Sequence, residues 1–179
     1  MFKDIIRMAH HPVSTIRKNH ALEHATLQVL AEKGTPSGRL FGYSDMNGFW
    51  VVGNVGTQAL SDASQEALQR LQSGERKLAI HPNCGTNIAT SGLVAAFAAW
   101  IAMAGTRKGF RSWLERFPVV VTFVTMALML SQPLGLRVQE TMTTDANVGA
   151  MKIAQVMRYE GRALPVHRIS TYTQPQLGS

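Results

Sequence analysis

The sequence predicts an α+β protein: a small mixed domain, in the order helix-strand-strand-helix-strand, anchored by a transmembrane helical hairpin. Two uncharged apolar stretches flanking a short basic spacer predict the hairpin, and helical spacing interrupted by a strand-turn-strand pattern predicts the domain. The 179 residues suit one domain plus a membrane element, and 45% apolar content excludes a disordered chain. Eighteen Lys and Arg against eleven Asp and Glu give a net charge of +7. Such an excess suits an anionic membrane surface, nucleic acid or simple solubility. A single Cys excludes an internal disulfide framework and a four-Cys zinc ribbon.

The elements follow in chain order. Residues 1–14 mix Lys3, Asp4 and Arg7 with Phe2, Ile5, Ile6 and Ala9 at helical spacing. They read as a helix lying on the membrane surface or as an ordinary first helix, and lack the continuous apolar run of a cleavable signal. Residues 15–87 form the α+β domain. Thr15 to Lys33 is its first helix, capped by Ser14 or Thr15 and stopped at Gly34 and Pro36. Arg39–Ser44 and Gly48–Val55 read as two strands around the turn Asp45-Met46-Asn47-Gly48. Ser61 caps a second helix with Ala63, Ala67, Leu68 and Leu71 on one face, ending at Gly74. Lys77–His81 reads as a short strand.

Residues 88–106 and 117–136 read as two transmembrane helices within 88–136. Each approaches the roughly twenty residues that cross a hydrocarbon core at about 1.5 Å per residue. The spacer between them is basic and carries Phe110, Trp113 and Phe117, residue types common at a membrane–water boundary. A buried helix pair in a soluble bundle is the competing reading, but so short a chain has little mass to cover two such helices. Residues 137–170 supply strands at Arg137–Thr144 and Ala150–Tyr159 that complete the domain, and 171–179 reads as a flexible tail. Without a cleavable signal, the protein is expected in the inner membrane with its N- and C-terminal parts in the cytoplasm. The cations of the spacer, Arg107, Lys108, Arg111 and Arg116 against Glu115, favour the opposite orientation.

The chemistry concentrates in His20-Ala21-Leu22-Glu23-His24. Positions four apart on a helix stack one turn above the other, so His20 and His24 can grip one divalent metal, zinc by preference. Glu23 stands close enough to serve as general acid/base toward a bound water. Leu22, Ala25 and Val29 share one face and His20, Glu23, His24 and Leu27 the other. One side can therefore anchor the helix while the other presents ligands. The stretch His81-Pro82-Asn83-Cys84-Gly85-Thr86-Asn87 offers the third ligand, Cys84 ahead of His81, with Glu66 as the acidic alternative. The bland reading is a solvated helix face for the His pair and a small buried thiol for Cys84. His10, His11 and His167 lack spacing partners and read as surface or hydrogen-bonded residues. Gly53–Thr57 lacks the Lys of a phosphate loop, and no basic stripe interleaved with aromatics suggests nucleic acid.

The NHALEHATLQVL helix resembles the His-x-x-Glu-His helix of inverzincin metallopeptidases and is similar to the zinc helix of S-ribosylhomocysteine lyase. That resemblance implies His20 and His24 as metal ligands, Glu23 as acid/base and Cys84 as the thiolate ligand. The chain as a whole, with HALEH, HPNCGTN and two spans, resembles an uncharacterised two-transmembrane-helix bacterial family of the cyanobacterial and Chloroflexi type. Two functions are expected to compete. One is a membrane-anchored zinc-dependent metallohydrolase of metallopeptidase-like form. The other is a non-enzymatic subunit or assembly factor of a larger membrane complex, its His pair structural or binding a cofactor such as haem. The expected partners are the lipid bilayer and either membrane-complex partners or further copies of the chain, without nucleic acid.

Overall fold

The computed structural model describes residues 2–34, 38–107, 109–160 and 164–173, with side chains from Pro12 onward. It is a mixed α+β structure of four α-helices and a four-stranded antiparallel sheet. The chain divides into two units, residues 1–81 with 142–179, and residues 82–141.

In the first unit, α1 (Phe2–Glu32) precedes the hairpin of β1 (Phe41–Asp45) and β2 (Gly48–Val52), then α2 (Thr57–Gln72), β3 (Met151–Tyr159) and β4 (Val166–Thr173). The sheet order is β1-β2-β4-β3, so β4 lies between the first hairpin and β3. Alternation sets the inner face: Phe49 and Val51 on β2 oppose Ile169 and His167 on β4, and all four are fully buried. Trp50 and Arg168, one residue on, occupy the other face. Against the inner face α1 contributes Leu22, Ala25 and Val29, and α2 contributes Leu60, Ala63 and Ala67. Each fully buried Leu, Val or Phe adds about 1.5–3 kcal/mol of transfer free energy, so this core carries the unit.

Several expectations hold and several are corrected. The Asp45–Gly48 turn is a two-residue hairpin with Asp45 opposite Gly48, and Asp45 Oδ1 accepts the Asn47 N–H at 2.8 Å. Gly34 ends α1 with φ of 62°, and Gly74 follows α2 with φ of 99°, backbone that favours Gly in each case. The separate helix at 1–14 is corrected: α1 runs without a break through Pro12, Ser14 and Thr15. Pro36, Lys108 and residues 174–179 of the tail lie outside the described residues, but the tail's first residues, Thr171 to Thr173, belong to β4. The α2 helix starts at Thr57 with Gly56 at its cap, so Ser61 is interior.

Lys77–His81 is not a strand. Arg76–Ala79 forms a 3-10 turn whose carbonyls face α1, where Gln28 Nε2 donates to Leu78 O at 3.1 Å and Ile80 O at 2.7 Å. These carbonyls take side-chain donors in place of a sheet ladder. Arg137–Thr144 is not a strand either. Its β-branched Val138, Thr141 and Thr143 suggest one, but the preceding helix simply propagates, because each added residue gains a bond without a new nucleation step. The second C-terminal strand is instead Val166–Thr173.

The second unit is a helical hairpin, α3 (Gly85–Met103) and α4 (Phe110–Val138), the latter extended by a π-helical turn at Gln139–Thr143. The helices replace the expected bounds 88–106 and 117–136, and α4 absorbs most of the spacer. Both are long and apolar enough to cross a membrane. Leu93, Phe97 and Trp100 of α3 and Phe123, Met129 and Leu130 of α4 are exposed.

Candidate metal centre

The site begins on α1. His20 and His24 stack with ring centroids 4.3 Å apart, one helical turn separating them. His24 Nδ1 lies 2.7 Å from Ala79 O, and His20 Nδ1 lies 3.0 Å from Thr143 O. A carbonyl oxygen only accepts, so each Nδ1 carries a proton, and in the neutral form of the ring the lone pair is on Nε2. A carbonyl partner on the remote nitrogen is the usual means of fixing a metal-binding imidazole. His81 follows the same 3-10 turn and brings its ring 5.8 Å from that of His24. Three imidazoles of the first unit are thus together. His24 and Glu23 are buried and His20 is half-buried, so the bland reading of a solvated helix face does not describe the pair.

Glu23 lies toward β1. Its Oε2 accepts a hydrogen bond from Ser44 Oγ, and its carboxylate fills the space left by Gly42. A Cβ at Gly42 would stand 2.0 Å from Glu23 Oε1, so glycine is needed there for room. Cys84 belongs to the second unit, where it caps α3 and its Sγ accepts the Thr86 N–H at 3.4 Å. Glu66 is engaged elsewhere: Lys33 Nζ lies at 2.6 Å and Arg70 Nη1 at 3.6 Å. The Lys33 hydrogen bond holds its pKa below the ordinary Glu value. The side chains of His10 and His11 lie outside the described residues.

The Arg168–Asp45 pair escapes the sequence reading, whereas His167, read there as a surface or hydrogen-bonded residue, is hydrogen-bonded. His167 is buried under the start of α2, with Nε2 3.1 Å from Thr57 Oγ1 and, among the described residues, no hydrogen-bond partner for Nδ1. Burial, aided by the positive charge of Arg158, pushes its pKa down. Its inward direction follows from alternation with Ile169, a signal available only once β4 is recognised. On the opposite sheet face Arg168 forks onto Asp45 at 2.7 and 2.8 Å and lies 4.9 Å from the Trp50 ring centroid. Burial works to raise the Asp45 pKa, but hydrogen bonds from Arg168, Asn47 and Trp50 and the charge of Arg168 outweigh it and lower it.

Fold and site together define a mixed α+β protein with an imidazole cluster on its first helix and an apolar helical hairpin in mid-chain. The chain belongs to the DUF6391 family, a domain of unknown function that matches residues 15–156. It is also similar to an uncharacterized protein of Picosynechococcus sp., 46% identical over 99 residues. That match covers 48% of each chain, so the present chain spans about half the length of this relative. The resemblance to an uncharacterised family is thereby borne out at family level. No solved structure matches.

Proposed function

We propose that the protein is a membrane-anchored metal-dependent hydrolase, with His20, His24 and Cys84 as ligands of a divalent cation and Glu23 as general acid/base. Among the described residues of the first unit, His20 and His24 bring their rings together and offer two ligand nitrogens to one ion. The observation that carries the reading is the paired tethering of the two imidazoles. Both Nδ1 atoms are committed to carbonyls, and both lone pairs therefore sit on the nitrogen a metal would use. Two imidazoles and one thiolate suit zinc, and three protein ligands match the open coordination of a catalytic site. A zinc ion so bound supplies Lewis-acid activation of water. The part of Glu23 is to take and return a proton, and that of Ser44 to hold its carboxylate. A peptide is the substrate that the metallopeptidase resemblance suggests.

The two apolar helices support a bilayer as the anchoring partner, with the first unit on the cytoplasmic side of the inner membrane. The site is tested by metal analysis of the full chain purified in detergent. One equivalent of zinc, lost in His20→Ala and His24→Ala, is expected; a metal-free protein that takes up no zinc would sink the reading. Carbonate extraction tests the anchor, and release of the protein without detergent would exclude it.

The second reading, a non-enzymatic subunit or assembly factor of a membrane complex, has one observation in its favour. Glu23 is buried against Gly42 and bonded to Ser44, a setting that also suits a structural carboxylate. Glu23→Gln separates the two: loss of hydrolysis with metal retained favours the enzyme, and unchanged assembly with no turnover in either form favours the subunit.

A further inference from the structure

We infer that Asn87 and Gln139 are positioning residues for Cys84: from inside the helical hairpin they fix the turn that carries the sulfur. The inference rests on the metal-centre reading above and adds to it the device that sets the third ligand. Between Pro82 and Gly85 the chain makes no regular secondary structure, so side-chain bonds must define its path. Asn87 Nδ2 donates to Pro82 O at 2.7 Å, and Gln139 Nε2 donates to Asn87 Oδ1 at 2.6 Å. The Asn87 N–H also bonds Cys84 O at 3.0 Å. Cys84 is thereby bracketed: the residue two before it and its own carbonyl are both held by Asn87.

The direction of the relay is forced. Pro82 O accepts only, so Asn87 must turn its NH2 to it and leave Oδ1 for the Gln139 amide. Asn87 is 6% exposed and Gln139 is fully buried, so neither amide can replace a lost partner with water. Gly135 makes the arrangement possible. A Cβ there would meet Asn87 Oδ1 at 2.5 Å and Asn87 Cα at 3.2 Å. Gln139 opens the π-helical turn whose last residue is Thr143, the carbonyl partner of His20. π-helical turns inserted at the end of an α-helix re-aim side chains, and they recur at functional sites.

A hydrogen bond that merely stabilises the hairpin would look similar, and the hairpin contains such a bond for comparison. Ser131 Oγ donates to Ser91 Oγ at 2.8 Å, between the same two helices. The test uses the full chain in detergent micelles with cobalt(II) as the probe, since a thiolate bound to cobalt gives a charge-transfer absorption that His ligands do not. The wild type should show this band and Cys84→Ser should lack it. Asn87→Ala should weaken cobalt binding about 10–100-fold, the range for losing an outer partner of a metal ligand, and should diminish or shift the band. Gln139→Leu, which keeps the bond to Pro82, should do the same to a lesser degree and carries the test if Asn87→Ala does not fold. Ser131→Ala should lower the unfolding temperature and leave band and affinity unchanged. The inference is overturned if the two amide variants keep the wild-type band and affinity, or if Ser131→Ala alters them equally. A wild type that binds no cobalt overturns the metal-centre reading itself, and a wild type that binds cobalt without the band removes Cys84 from the ligands.

Discussion

His24 and His167 are both buried imidazoles of the first unit, yet their surroundings are opposite. His24 lies between two other imidazoles, with a carbonyl 2.7 Å from Nδ1. His167 sits beneath α2 with one hydroxyl partner at Nε2 and, among the described residues, nothing at Nδ1. An unpaired buried acceptor is better tolerated than an unpaired donor, so the His167 proton belongs on Nε2, donated to Thr57 Oγ1. The two rings therefore carry opposite tautomers. At His24 the backbone prepares the lone pair beside a cluster of donors; at His167 the lone pair is sealed into the core. Burial alone does not mark a ligand, and the placement of the partner on the ring does.

The largest expected effect separates the two regions directly. His24→Ala should weaken zinc binding by more than about 100-fold, since losing even an outer partner of a ligand weakens binding about 10–100-fold. His167→Gln should leave zinc affinity within about twofold while lowering the unfolding temperature. Competition with a chelator of known affinity measures the first, and thermal unfolding the second. Equal losses of zinc affinity in both variants would remove the distinction.

Next in size is Gly42→Ala, on the Glu23 side of the first region. The added methyl must displace a buried carboxylate, and overpacking of this kind costs about 1–3 kcal/mol. Denaturant unfolding should show that loss, while the zinc affinity set by His20 and His24 should change far less. A stable Gly42→Ala protein would mean that Glu23 can leave its place beside Ser44 without penalty.

The sequence shows the site's skeleton more clearly than its setting. The His20–His24 spacing needs only helical geometry, and the two apolar helices need only composition and length. The β1–β2 hairpin is equally plain, because Asp45 and Gly48 frame its turn. The partners that give these residues meaning come from far along the chain: Ala79 O lies 55 positions from His24, and Thr143 O lies 123 from His20. Local pattern cannot supply such pairs. For the same reason Lys77–His81 reads as a strand until the α1 donors that bind its carbonyls are known. Arg137–Thr144 misleads differently, because its β-branched residues oppose a helix already nucleated upstream.

The pH dependence of stability sharpens the comparison from the His167 side. Its folded-state pKa lies below the ordinary His value of 6.5, first because burial disfavours the imidazolium and then because Arg158 repels it. The unfolded chain thus binds a proton that the folded chain resists. Above about pH 7 the ring is neutral in both states and pH has little effect. Below about pH 6.5 the unfolded state gains protons first, so stability falls as pH falls. The His167→Gln variant should lose that part of the slope between about pH 5 and 7. An unchanged slope in the variant would assign the acid sensitivity to other groups, Asp45 among them, whose lowered pKa predicts a loss only in the lower carboxylate range.

The smallest effect is expected from Thr57→Val, which keeps the shape of the side chain and removes the one hydroxyl that His167 meets. With the proton on Nε2, the ring would then hold a buried donor without an acceptor in addition to its unpaired Nδ1. Leaving a buried donor unmet costs about 1–3 kcal/mol, and the half-buried position of Thr57 places this case near 1 kcal/mol, since water can reach part of the gap. Thr57→Ser should restore most of the loss because it returns the hydroxyl. The same Val substitution should further lower the His167 pKa, since the imidazolium would lose an acceptor as well as its solvent. Thermal unfolding at pH 7 and pH 5.5 would show both effects, with the larger deficit at the lower pH. If Thr57→Val instead matched the wild type at both pH values, the Thr57 hydroxyl would not be the partner that fixes the tautomer, and the contrast with the carbonyl-tethered His24 would have to rest on burial alone.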